Sequence, residues 1–168
     1  MALALQIGVN YANDYSDGIK GTDSDRVGPL RLVGSGVATA RSVRNAAFIS
    51  FLIAALAGLY LASLTSWSLL LIGAAAIIAA WNYTGGSKPY GYSGFGEISV
   101  FIFFGIVATL GTYYVNALYL SKEAFLASLA MGSLACSILV LNNLRDREKD
   151  ELVNKRTLSV IIGDAKSR

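Results

Sequence analysis

The chain has 168 residues, 54% of them hydrophobic and only 15% charged, with a net charge of +3. A mean hydropathy of +0.52 places it with integral membrane proteins and excludes a soluble or nucleic-acid-binding domain. It has no histidine and one cysteine, which excludes His-ligated zinc, His-dependent nucleophilic triads and a disulfide within the chain.

Met1 to Val9 is apolar but too short to cross a bilayer, and reads as the last turns of a helix that begins upstream. The stretch N-D-Y-S-D-G-I-K-G-T-D-S-D follows and supplies Asp14, Asp17, Asp23 and Asp25. If the helix runs on, Asn10, Asp14 and Asp17 stand at i, i+4 and i+7 on one face, with Asn13 beside them. Gly18 and Gly21 are then expected to break it and to leave Asp23 and Asp25 on a loop. Four apolar segments follow, at about Val43 to Leu64, Trp67 to Tyr83, Glu97 to Leu120 and Phe125 to Leu141. Each approaches the roughly 20 residues that a membrane crossing needs. Cys136 sits inside the last of them and reads as a small packing residue.

Thr65-Ser66 and the residues around Ser121 to Glu123 are links short enough to force antiparallel hairpins. The three longer polar stretches, Asn10 to Ser42, Thr84 to Gly96 and Asn142 to Lys155, must then share one membrane face. Thirteen of the fourteen basic residues lie in, beside or after those stretches, and only Lys122 lies opposite. By the positive-inside rule that face is cytoplasmic, which suits a multi-pass protein of the cell membrane.

Two of these stretches carry carboxylates, which are costly near lipid and mark function there. In N-N-L-R-D-R-E-K-D, Asn142, Asp146 and Asp150 repeat the Asn-Asp-Asp stripe at i, i+4 and i+8, with Lys155 and Arg156 close behind. Two helix ends on one face, each striped this way, can form the walls of a cleft. Between them, the loop Asn82 to Glu97 contains five glycines and a proline, plus Tyr90, Tyr92 and Phe95. Such a loop lets backbone approach a ligand closely and offers flat faces to an aromatic or allylic partner. The bland alternatives are solvated helix ends and a Tyr-anchored interfacial loop.

Hard oxygen ligands suit Mg²⁺, which favours a few carboxylates together with substrate phosphates. Asp14, Asp17 and Asp23 could hold one ion, and Asp146 and Asp150 another. A diphosphate between them would be neutralised further by Lys155, Arg156 and Lys20 or Arg26. A diphosphate so held is a good leaving group, and its loss from an allylic carbon is the natural reaction.

These motifs resemble the UbiA superfamily of intramembrane aromatic prenyltransferases. The resemblance rests on V-N-Y-A-N-D-Y-S-D-G-I-K-G-T-D (Val9 to Asp23), R-V-G-P-L-R-L-V-G-S-G (Arg26 to Gly36), the glycine-tyrosine loop, and N-N-L-R-D-R-E-K-D followed by K-R-T-L. It is closest to the branch that prenylates 1,4-dihydroxy-2-naphthoate in menaquinone biosynthesis, and it covers essentially the whole chain. It implies an all-α polytopic transmembrane bundle and transfer from a polyprenyl diphosphate to 1,4-dihydroxy-2-naphthoate. Diphosphate and carbon dioxide are lost, giving demethylmenaquinone. It also implies Mg²⁺ as cofactor and Asp14, Asp17, Asp146 and Asp150 as metal-diphosphate residues. Asn10, Asn13 and Asn142 stand beside these, and Lys155 and Arg156 contact diphosphate. Gly21 stands where many members have a third Asp, so Asp23 is expected to substitute.

The family fold has nine helices, so residues 1–168 read as a single domain incomplete at both ends. Some four complete spans and partial helices at either end are expected, with little activity from this chain alone. Three rival readings stay open. Asp14-Tyr15-Ser16-Asp17-Gly18 matches the opening of the CDP-alcohol phosphatidyltransferase motif, but the continuation fails. Other UbiA branches share the Asp motifs without this loop. A cation transporter would place ionisable residues inside the spans, and Val43 to Leu64 carries only Arg44, at its edge. Prenyl chain length and oligomeric state are not legible. Small pairs such as Ala54/Gly58 and Gly132/Cys136 permit close packing within or between chains alike.

Overall fold

The structure is a computed structural model that describes residues 1–22 and 28–168. The expectations for Asp23, Asp25 and Arg26 lie outside the described residues.

Among the described residues the chain is helical, with a lone bridge between Ser93 and Arg156 in place of any sheet. Helix α1 spans Ala2–Lys20 and carries the first carboxylate stripe whole. Gly18 does not break it. A Cβ there would lie 2.5 Å from the Val33 side chain, so this glycine serves close approach. The helix ends at Gly21, which takes the left-handed conformation (φ 73°), while the Thr22 amide closes back on the Asp17 carbonyl.

Helix α2 spans Ala40–Leu64 and is capped by Thr39, whose hydroxyl oxygen accepts from the Ser42 amide. Helix α3 spans Ser68–Asn82. The three pack together around Ala12, Ala47 and Phe51. Gly8 admits the Phe51 ring, since a Cβ there would stand 2.6 Å from it. Trp81 of α3 stacks on Phe48 of α2 at 4.8 Å and on Tyr15 of α1 at 6.1 Å.

A second unit follows the glycine-tyrosine loop. Helix α4 covers Gly96–Ala117 and changes to π-helical winding over Phe101–Val107. Helix α5 spans Lys122–Leu152, capped by Ser121. The two cross where Gly105 meets Gly132, and a Cβ on Gly105 would lie 2.4 Å from the Gly132 Cα. Such small-residue crossings let membrane helices touch backbone to backbone. Beyond the apolar part of α5, which ends at Leu141, its last residues are a polar extension. Two short helices, α6 (Leu158–Ile162) and α7 (Asp164–Ser167), complete the chain, and α6 packs on α5.

Among the described residues, three helices are long and apolar enough to cross a membrane: Ala40–Leu64, Gly96–Ala117 and Lys122–Leu152. The expected fourth, α3, is as apolar but has 15 residues, about 22 Å of helix, which is short of a full crossing. Trp67, at its start, is exposed and suits an interfacial anchor. Large apolar side chains such as Leu52, Leu71, Ile138 and Leu141 stand on the outer faces, as lipid contact or neighbouring helices require.

Candidate active site

The three polar stretches meet, and Tyr92 stands at their junction. Its hydroxyl donates to Asp17 Oδ1 at 2.6 Å. The Lys20 ammonium lies over its ring at 4.8 Å and the Lys155 ammonium at 5.4 Å. Lys155 in turn pairs with Asp150 at 3.3 Å. One aromatic ring therefore joins the end of α1 to the end of α5. Both carboxylates are deeply buried, Asp17 at 3% exposure and Asp150 at 6%. They lie within electrostatic reach of each other.

Short-range backbone chemistry places the loop. Thr84 donates its hydroxyl to Asn13 Oδ1 at 2.8 Å, and Lys20 donates to the Thr84 carbonyl. The Gly91 amide donates to the Tyr83 carbonyl at 2.9 Å, and a Cβ on Gly91 would stand 2.6 Å from that same oxygen. No larger residue fits this fold-back. The Arg156 amide donates to the Tyr92 carbonyl at 3.1 Å, which fastens the segment after α5 to the loop. Tyr90 was expected as a flat face toward substrate. It instead turns inward, its hydroxyl bonded to the Ala79 carbonyl (2.8 Å) and to Ser99 (2.9 Å).

Burial decides the electrostatics. Desolvation raises the Asp150 pKa above the ordinary carboxylate range, and the charges of Asp146 and Asp17 add to it while Lys155 opposes. Burial, then the Asp17 charge, pushes the Tyr92 hydroxyl well above its usual range, so it stays a neutral donor. Burial lowers Lys20, against the pull of Asp17. Asp150 Oδ2 is buried without a hydrogen-bond partner. A carboxylate oxygen so placed wants a donor or a cation.

The remaining expected residues fall around this centre. Asp14 is buried and accepts from the Leu32 and Val33 amides at 2.9 and 3.0 Å, docking the segment after the first cluster onto α1. An ionised carboxylate has about four lone-pair sites, so Asp14 keeps acceptor capacity beyond those two bonds. Asp146 forms a two-point pair with Arg145, both bonds 2.7 Å. Asn10 and Asn142 are exposed. Among the described residues, no three Cys, Asp or Glu side chains close into a ready metal cage.

Three residues went unnoticed in the sequence. Asn143, not Asn142, turns inward, and its amide donates to Glu97 Oε1 at 2.9 Å. Tyr83 lies within electrostatic reach of Glu97, Asp17 and Asp150 together. The signal was present: Asn143 and Asp150 are seven residues apart, which is two helical turns and one face.

The donor set suits a hard divalent cation, since the buried groups are carboxylate oxygens flanked by amide and phenol. The chain is 59% identical, over all of its length and 58% of the relative's, to a 1,4-dihydroxy-2-naphthoate octaprenyltransferase of Mycobacterium tuberculosis. It is 42% identical to the Escherichia coli protein of that name, over 98% of this chain and 56% of the other. A UbiA prenyltransferase domain-containing protein of Gallus gallus is 31% identical over 97% of this chain and 49% of its own. The chain thus spans about half to three-fifths of the length of these curated relatives. No solved structure matches it. Residues 1–168 match the UbiA prenyltransferase family, and the chain belongs to that family.

Proposed function

We propose that the protein to which this chain belongs transfers a polyprenyl group from its diphosphate to 1,4-dihydroxy-2-naphthoate. Diphosphate and carbon dioxide leave, and the product is the quinol form of the demethylmenaquinone of menaquinone biosynthesis. The observation that carries this reading is the junction at Tyr92, which links Asp17 of the α1–α2–α3 unit and Asp150 of the α4–α5 unit through two lysines. The relatives' names supply the donor and acceptor classes.

Asp17 and Asp150, with Asp14 and Asp146 beside them, would hold Mg²⁺, and Asp23 is a further ligand outside the described residues. When bound, the metal neutralises the diphosphate and makes it a better leaving group. The chain's own residues do the rest. Lys20, Lys155 and Arg156 attract the diphosphate, and Arg26 is assigned the same role from sequence. Asn13 borders the site through its bond with Thr84, whereas Asn10 and Asn142 are exposed, and Tyr92 orients Asp17 and presents its ring to positive charge. Tyr90 braces the loop that holds Tyr92. The apolar outer faces keep the isoprenoid tail in the bilayer, with the site at its cytoplasmic surface and the protein in the cell membrane.

The test is an assay of the intact gene product with labelled 1,4-dihydroxy-2-naphthoate and polyprenyl diphosphates of several lengths. Mg²⁺-dependent demethylmenaquinone formation is expected, lost on chelation and in both Asp17→Asn and Asp150→Asn. Near-normal turnover in either variant would sink the metal assignment. Turnover of a different aromatic acceptor alone would place the protein in another branch of the family.

A further inference from the structure

Glu97 opens α4 at the end of the glycine-tyrosine loop, and the reading above gives it no task. One carboxylate oxygen, Oε1, accepts from Asn143 at 2.9 Å. The other, Oε2, is buried and has no partner. Nor is the backbone at Glu97 idle, since the Cys136 thiol donates to its carbonyl at 3.1 Å. The residue is therefore anchored from α5 at two places, which fixes where the free oxygen lies. A buried carboxylate oxygen left without a donor keeps the full penalty of its lost hydration. Such an atom in a native site calls for a donor that arrives from elsewhere.

Position says which donor. Asn143 and Asp150 share one face of α5, seven residues and so about 10 Å apart along the axis. Glu97 thus stands two turns deeper toward the apolar layer than the carboxylate expected to hold diphosphate. Tyr83 connects the two levels, in electrostatic reach of Glu97 and of Asp17 and Asp150 together. Gly96 makes room for that tyrosine, because a Cβ there would come within 3.0 Å of the Tyr83 hydroxyl. The levels differ in chemistry. The outer one pairs its carboxylates with lysines and suits an anion bridged by cations. The inner one has a carboxylate with an amide beside it, so it repels anions and accepts from neutral donors.

We infer that Glu97 Oε2 accepts a hydrogen bond from a ring hydroxyl of the aromatic acceptor, and that Glu97 is a binding residue for the acceptor but not for the diphosphate. This rests on the proposed function and sharpens it. A phenolic hydroxyl is a neutral donor on a flat apolar ring, which matches a lone carboxylate oxygen among Tyr83 and helix side chains. The acceptor's own carboxylate would be turned away from Glu97 by like charge, so the same residue also sets which edge of the ring enters first.

The experiment uses the intact gene product in membranes, with 1,4-dihydroxy-2-naphthoate and two analogues, each lacking one of the two hydroxyls. Glu97→Gln keeps the Asn143 bond through its amide oxygen and preserves size. It should raise the acceptor KM about 10- to 100-fold, the range of a hydrogen bond to a charged group. The KM for polyprenyl diphosphate and the Mg²⁺ requirement should move less than about twofold. Wild-type enzyme should discriminate against one analogue by a similar factor, and E97Q should lose that discrimination. If E97Q does not accumulate, Glu97→Asp, which withdraws the carboxylate by one methylene, should narrow the discrimination instead. Equal losses for both substrates, or an undiminished preference for the dihydroxy ring, would overturn the inference while leaving the proposed function standing. Absence of turnover by wild-type protein would refute both.

Discussion

Replacing Tyr92 by phenylalanine isolates one bond at the centre of the site. The ring stays beneath Lys20 and Lys155, and only the donor to Asp17 is removed. That bond is 2.6 Å long and ends on a carboxylate with 3% exposure, so water cannot readily replace it. Hydrogen bonds to charged groups contribute about 1.5–3 kcal/mol. If the bond orients Asp17 in the transition state, that energy corresponds to a loss of roughly 10- to 150-fold in kcat/KM for the prenyl diphosphate. Tyr92→Leu also removes the ring from under two ammonium groups. It should cost a further factor, since each such contact is worth about 0.5–2 kcal/mol according to its exposure. The assay is initial-rate prenyl transfer at several Mg²⁺ concentrations, with thermal unfolding of the detergent-solubilised protein measured in parallel. A phenylalanine variant within twofold of wild type in rate and in Mg²⁺ dependence would refute this reasoning. So would a leucine variant no worse than phenylalanine.

Two other changes test the scaffold and the charges separately. Gly105→Ala forces a Cβ to within 2.4 Å of the Gly132 Cα and 2.9 Å of the Ser128 carbonyl oxygen, both backbone. Helices α4 and α5 must part, so the unfolding temperature in detergent should fall, with about 1–3 kcal/mol lost. An unchanged temperature would mean that the crossing is looser than described. Lys155→Met removes the cation that holds the raised Asp150 pKa down, so that pKa should rise further. Protons then compete with metal at higher pH, and the acid limb of the pH–rate profile should move upward. No movement, or a downward one, would show that Lys155 and Asp150 do not titrate together.

Helix existence, the hairpin pairing and the convergence of three polar stretches were legible because each follows from one-dimensional pattern. Apolar runs, short links and the bias of Lys and Arg need no tertiary knowledge. Contacts made by backbone were not legible. Gly18 reads as a helix breaker from propensity, yet its lack of a Cβ serves the Val33 contact, and the left-handed residue is Gly21. Tyr90 and Tyr92 are indistinguishable in a loop of glycines. Which one faces the site depends on where the Gly91 amide closes, and that depends on the Tyr83 carbonyl. Asn142 and Asn143 present the same ambiguity. A step of about 100° around α5 separates an exposed amide from the one that holds Glu97.

The placement of the carboxylates has a consequence for how the site is specified. Asp17 belongs to the α1–α2–α3 unit and Asp150 to the α4–α5 unit, and the loop between Tyr83 and Gly96 is the covalent link that brings them together. Among the described residues, side-chain bonds at the junction are few: Tyr92 to Asp17, Thr84 to Asn13, Lys20 to the Thr84 carbonyl, and Lys155 to Asp150. What fixes the loop's path is backbone approach at Gly85, where a Cβ would stand 2.4 Å from the Trp81 carbonyl, and at Gly91. A methyl group at either position leaves every charged residue in place and still displaces Tyr92 from Asp17. The distance between the two acidic walls is therefore set by glycines that carry no chemistry of their own. Retention of the four aspartates alone does not ensure that they meet.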